Sequence, residues 1–95
     1  MPMPESERAP RIDYTGTGRM IKHLRFERYI TIARMQEYLG LESPRSIYKW
    51  QRGDVMPSID NLVGLSALYR VPIDDILVLE GQKQKTYLID NKMND

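Results

Sequence analysis

Residues 31–53 read TIARMQEYLGLESPRSIYKWQRG, and the spacing of caps and apolar positions within them decides the fold. Thr31 suits a helix N-cap, because its hydroxyl can accept from an orphan amide of the first turn. Met35 and Leu39 stand four apart and share one face of the helix that follows. Gly40 ends that helix: glycine takes the left-handed conformation at low cost, and Leu41 just beyond it can pack back onto the helices. Ser43 and Pro44 open the next helix as a serine cap followed by proline at the first helical position. Ile47 and Trp50, three apart, face inward, and Gly53 supplies the closing turn.

Working outward, residues 1–16 hold three prolines and few apolar side chains, which predicts a flexible arm. The ordered domain is expected from Thr17, a cap for a first helix from Gly18 to about Arg28. Ile21 and Leu24 point inward in this reading, Met20 lies at an edge, and Arg19, Lys22 and Arg25 take the other faces. Beyond Gly53, Ser58 caps a fourth helix with Ile59, Leu62, Leu65, Ser66 and Tyr69 in one stripe, ending before Val71-Pro72. A fifth short helix is predicted over 74–78, with Asp74 and Asp75 favoured by the helix dipole. Tyr87, Leu88 and Ile89 in the tail fit either a dimerising strand or a frayed end. The fold class is therefore all-α with five helices: an arm over 1–16, a domain over 17–80 and a tail over 81–95.

At 95 residues, 41% hydrophobic and 28% charged, the chain fits one globular domain with a small core, a size at which self-association helps stability. The absence of cysteine excludes disulfides, thiolate metal sites and cysteine nucleophiles. Glu5, Glu7 and Arg8 stand where a secretory signal needs an apolar run, and no segment is long and apolar enough to span a membrane, so a cytoplasmic location without membrane contact is expected. The single histidine, His23, has no second ligand at metal spacing and reads as a surface residue. Gly16-Thr17-Gly18 lacks the preceding strand and third glycine of a nucleotide loop. No enzymatic activity, metal, cofactor or small-molecule ligand is expected.

The net charge of +1 hides an uneven distribution. From Arg19 to Arg52 there are eight basic residues against three acidic ones, while residues 1–18 and 53–95 carry −1 and −3. A basic segment of this kind is what phosphate contact requires, although a mixed-charge solvated surface would look similar. Two short helices joined by a tight turn at Gly40 follow helix-turn-helix grammar, in which the second helix enters a major groove. With Ile47 and Trp50 inward, Pro44, Arg45, Ser46, Tyr48 and Lys49 lie on or near the outward side. Arg45 and Lys49 are the leading candidates for base contact, arginine because its planar fork matches the O6 and N7 acceptors of guanine. Thr31, the amide of Ile32, Ser43 and Arg52 are expected at phosphates.

The sequence resembles the Cro and phage-repressor (XRE-type) helix-turn-helix regulators from about Gly18 to Leu77. The resemblance rests on Ile21-Lys22-His23-Leu24-Arg25, on Thr31 with Met35, Leu39 and Gly40, and on Ile47-Tyr48-Lys49-Trp50-Gln51-Arg52-Gly53. It continues through Pro57, Ser58, Leu62, Leu65 and Val71-Pro72 to Ile73-Asp74-Asp75-Ile76-Leu77. It implies a five-helix repressor-like domain that binds a two-fold symmetric double-stranded DNA operator as a homodimer, with base contacts at Pro44, Arg45, Ser46 and Lys49.

Three departures from the family pattern carry consequences. The turn before Ile47 is one residue longer than usual, which leaves the register of the reading helix open by one. Gln51 stands where the family often has a glutamate paired with the arginine matching Arg25, so a hydrogen bond to a neutral acceptor is expected instead. Gln36 replaces a small alanine, so either the two helices meet differently or its amide reaches phosphate. An antitoxin or adaptor that uses the same fold to hold a protein partner is the alternative function.

Overall fold

The computed structural model describes residues 8–81. They form four α-helices: α1 (Tyr14–Glu27), α2 (Ile32–Leu39), α3 (Arg45–Arg52) and α4 (Ile59–Tyr69). Residues 1–7 of the expected arm, and the Tyr87–Ile89 patch of the tail, lie outside the described residues. No helix among the described residues is long and apolar enough to cross a membrane.

α1 packs on α3, and α2 packs on α4. Between them lie Ile21, Leu24, Met35, Ile47, Trp50, Leu65, Tyr69 and Ile76, all buried. Leu41 folds back against this core as its place after Gly40 predicted, and Gly40 itself has φ of 70°. Thr31 and Ser58 cap α2 and α4 as expected, accepting from the amides of Arg34 and Asn61 at 3.0 and 3.1 Å.

Several expectations are corrected. α1 starts at Tyr14 and is capped by Asp13, whose carboxylate accepts from the Gly16 amide at 2.9 Å, four residues ahead of the predicted start. Thr17, read as the cap, is wholly buried and does another job. The Val78 amide donates to its hydroxyl oxygen at 2.9 Å, and that hydroxyl in turn faces the Val78 carbonyl at 3.4 Å. The Asp13 amide donates to the Val78 carbonyl at 2.8 Å and the Glu80 amide to the Arg11 carbonyl at 2.8 Å, around an antiparallel bridge between Ile12 and Leu79. Residues 11–16, expected in the arm, are thereby part of the folded body.

The same bonds explain why the fifth helix is only a single 3-10 turn, Ile73–Asp75. Val78 and Glu80 give their amides to partners at the start of the chain rather than to carbonyls one turn back, and helical hydrogen bonding stops. Met20 is fully buried instead of lying at an edge, and Ile59, placed in the inward stripe of α4, is 77% exposed. His23 is nearly buried rather than a surface residue, with Nε2 3.3 Å from Glu27 Oε2 one turn along.

Arg25 and Arg28, both counted in the basic segment, turn inward as structural ties. Arg28 donates from Nε to the Tyr69 carbonyl at 2.8 Å and so joins α1 to α4. Tyr69 is buried and its hydroxyl donates to the Ile21 carbonyl at 2.8 Å. Burial pushes the phenol above its ordinary pKa, only partly opposed by the nearby Arg25 and Arg28 guanidiniums. The folded state thus holds this proton more tightly than the unfolded chain. The corresponding stability is complete below the ordinary tyrosine value of about 10 and is lost as pH rises beyond it, at about 1 kcal/mol per pH unit. In urea titrations the stability advantage of the wild type over Tyr69→Phe should therefore shrink as pH is raised through that window; a constant gap would contradict the assignment.

Candidate nucleic-acid interface

α3 is set in rotation by Ile47 and Trp50, 0% and 3% exposed, which anchor it against α1. The 3.6-residue period then sends Arg45, Tyr48, Lys49 and Arg52 outward together, and all four are exposed. Three are cations, one is a phenol, and no acidic residue lies on the helix. Ser46 and Pro44 are half-buried at its margin.

The helix begins at Arg45, with Pro44 as the N-cap residue, each one position later than the predicted Pro44 start and Ser43 cap. The serine still acts on the helix start: its Oγ accepts from the Arg45 amide at 3.3 Å, while the Tyr48 amide reaches the Pro44 carbonyl at 3.2 Å. Pro44 costs nothing here because an amide at this place would have no helical acceptor. The C-terminal end matches expectation, with Gly53 left-handed at φ of 81°.

Ser43, Pro44, Arg45, Tyr48 and Arg52 line one open surface depression of about 340 Å³. Five of the nine residues singled out in the sequence are thus brought together, with Lys49 beside Arg45 and Tyr48 on the same helix. Thr31 and Ile32 stand apart from them at the start of α2. The Thr31 hydroxyl is engaged as the cap, and the first-turn amides of α2, Ile32 among them, have no helical acceptor. Arg52 is less free than expected, since its Nε donates to Asp54 Oδ2 at 2.9 Å. Arg45 and Lys49 carry no ion pair among the described residues. The tie from Arg52 was legible in principle, because an aspartate two residues past an arginine at a helix end is within reach.

Behind this face, the Arg25 Nε donates to Gln51 Oε1 at 3.0 Å, the bond to a neutral acceptor that the sequence suggested, and its Nη1 donates to the Ile30 carbonyl at 3.1 Å. Arg25 is 8% exposed, so a buried cation rests here on neutral acceptors alone. Gln51→Glu should convert the bond into a charge-assisted one and raise stability by about 1 kcal/mol, read as a higher urea midpoint; a lower midpoint would show that burying the second charge costs more than the pairing returns. Gln36 resolves differently from either expectation. Its side-chain amide donates to the Leu41 carbonyl at 3.3 Å, and the Leu41 amide donates to the Gln36 backbone carbonyl at 3.0 Å, so Gln36 closes the turn between α2 and α3.

A helix-turn-helix family model, HTH_3, matches residues 21–76, more than half of the chain, from the middle of α1 to just past the 3-10 turn. The chain belongs to the XRE-type helix-turn-helix family. Solved structures with the same helix-turn-helix arrangement include the restriction-modification controller protein C.AhdI from Aeromonas hydrophila, at 17% identity and a TM-score of 0.61, covering 67% of this chain and 96% of that one. The clp gene regulator ClgR from Corynebacterium glutamicum is also 17% identical with a TM-score of 0.61, covering 66% of each chain. HppE matches at 18% identity and a TM-score of 0.61 over 68% of this chain but only 36% of its own, so the likeness is confined to a part of it. At such identities these likenesses establish the fold alone. No curated protein matches the chain.

Proposed function

We propose that this helix-turn-helix protein is a sequence-specific DNA-binding transcription regulator, a cytoplasmic homodimer that represses a promoter by occupying a two-fold symmetric operator. The observation that carries the reading is the outward face of α3, where Arg45, Tyr48, Lys49 and Arg52 stand exposed without an acidic residue, on a helix locked from behind by Ile47 and Trp50. A rigid helix with such a face fits a major groove, where guanidinium and ammonium groups meet guanine acceptors and phosphates. Arg45, Lys49 and Tyr48 are assigned to base edges, with Pro44 and Ser46 at the margin of the same contact. Ser43, Arg52, Thr31 and the Ile32 amide are assigned to phosphates, the last two because the first helix of the pair crosses the backbone.

The test is selection of bound sequences from a random double-stranded DNA pool near physiological salt. An enriched palindrome, with a reporter repressed from that site, is expected. Weak, salt-sensitive binding without enrichment would overturn the reading and direct attention to a protein partner, as for an antitoxin or an adaptor.

A further inference from the structure

α4 is the most apolar helix of the fold, with Asp60 as its single charged residue. One side, carrying Leu65 and Tyr69, is buried in the core. The opposite side is also apolar, yet it faces solvent: Ile59 is 77% exposed, Val63 54%, and Ala67 is exposed as well. A helix that is hydrophobic all round is normally covered all round, and β-branched residues at solvent positions gain nothing in helix propensity. The helix is bracketed by exposed charges of opposite sign, Asp60 in its first turn and Arg70 as its C-cap, and neither has an ion pair among the described residues.

The spacing of these groups selects the occupant. Asp60, Val63 and Ala67 follow each other by three and four residues, which puts them on one face, and Arg70 closes the same helix as its left-handed C-cap three residues past Ala67. Both the charged pair and the apolar pair are centred on the same point of the helix, level with Leu65. Packed antiparallel on a copy of itself, α4 would set Asp60 against Arg70 of the other protomer, Val63 against its Ala67, and the reverse of each. Every contact is then made twice, as two-fold symmetry demands. A parallel pairing would instead oppose like charges. Each carboxylate would also sit at a helix N-terminus and each guanidinium near a C-terminus, the placement that the helix dipoles favour.

We propose that the outward face of α4 is the seam through which two copies of this chain associate, antiparallel and about a two-fold axis. The proposal rests on the dimeric reading given above and supplies its surface. Only residues 53–58 separate α3 from α4, so a seam here holds the two reading helices on either side of the same axis, as a symmetric operator requires. A pair of 11-residue helices is smaller than the about 1,200–2,000 Å² of a standard stable interface, so the free dimer is weak and is consolidated when both half-sites are bound.

The experiment is sedimentation equilibrium of the full chain without DNA, over a wide concentration range. Three samples accompany the wild type: Asp60→Lys, Arg70→Glu, and an equimolar mixture of the two. Both positions are exposed, and circular dichroism confirms that each variant is folded. Each single variant opposes like charges at both ends of the seam, and dimerisation should weaken by about tenfold or more. In the mixture an all-basic seam meets an all-acidic one, and association should return as a heterodimer. A wild type that stays monomeric throughout, variants that dimerise like the wild type, or a mixture that fails to associate would each overturn the seam. Such results leave the DNA reading untouched, because binding to a single half-site, measured on the same variants, does not depend on it.

Discussion

Gly18→Ala is expected to be the most damaging single-methyl change in the domain, costing about 3 kcal/mol or more. Gly18 lies in α1 where α3 crosses it, and a Cβ there would fall against the Trp50 carbonyl oxygen, 2.7 Å from the Gln51 carbonyl oxygen and 2.9 Å from its carbon. All of these are backbone atoms of a helix, which cannot rotate aside as a side chain does. Relief requires α1 and α3 to move apart, which loosens the packing of Met20, Ile21, Ile47 and Trp50 at once. For a domain whose total stability is on the order of 5–15 kcal/mol, that is a large fraction.

Two other glycines serve as controls. At Gly64 a Cβ would meet only the tip of the Leu39 side chain at 2.5 Å, with nothing else nearer than 4.0 Å. The gain in helix propensity of Gly64→Ala, up to about 1 kcal/mol, should roughly offset the adjustment of Leu39. At Gly40 space is open but φ is 70°, so Gly40→Ala should cost about 1 kcal/mol through backbone strain alone. Urea unfolding of the three variants would give the order Gly18, Gly40, Gly64. A Gly18→Ala protein as stable as wild type would mean that α1 and α3 do not approach this closely.

The second large effect concerns DNA. Under the proposed reading, Arg45→Ala should weaken binding to the selected operator by about 1–3 kcal/mol and relax the preference at one base pair per half-site, because a bidentate partner for guanine is lost. Arg52→Ala should instead weaken all sequences alike and reduce the dependence of log K on log salt by about 1 per protomer. The difference follows from position: Arg45 leads the outward face at the start of α3, whereas Arg52 is at its end and already shares its guanidinium with Asp54. Asp54→Ala should accordingly strengthen binding, most at low salt. Retained specificity with Arg45→Ala would move base reading to Lys49 or Tyr48.

Much of the interface was legible from residue order alone. Ile47 and Trp50 fix which side of the helix is inward, so the outward set follows from the helical period without any knowledge of what covers the inward pair. The charge count was less informative. Arg25 and Arg28 are indistinguishable from Arg45 in a list of basic residues, yet they reach Gln51, Ile30 and Tyr69, which are 5 to 41 positions away along the chain. Their inward turn depends on acceptors that only the folded chain delivers.

What the sequence determined by itself is the set of local devices: Thr31 and Ser58 as caps, Gly40 and Gly53 as left-handed ends, and the inward pairs that set each helix face. These are decided within a few residues, by the backbone freedom of glycine, the reach of a hydroxyl and the 3.6-residue period. The tertiary structure alone decided where helical structure stops and that residues 11–13 join the folded body, because Arg11, Asp13 and Thr17 meet Val78 and Glu80 through bonds that span 61 residues or more, whereas the Asp13 cap of α1 is itself a local bond. A buried amide takes whichever acceptor the packed chain offers, and no local pattern records that choice.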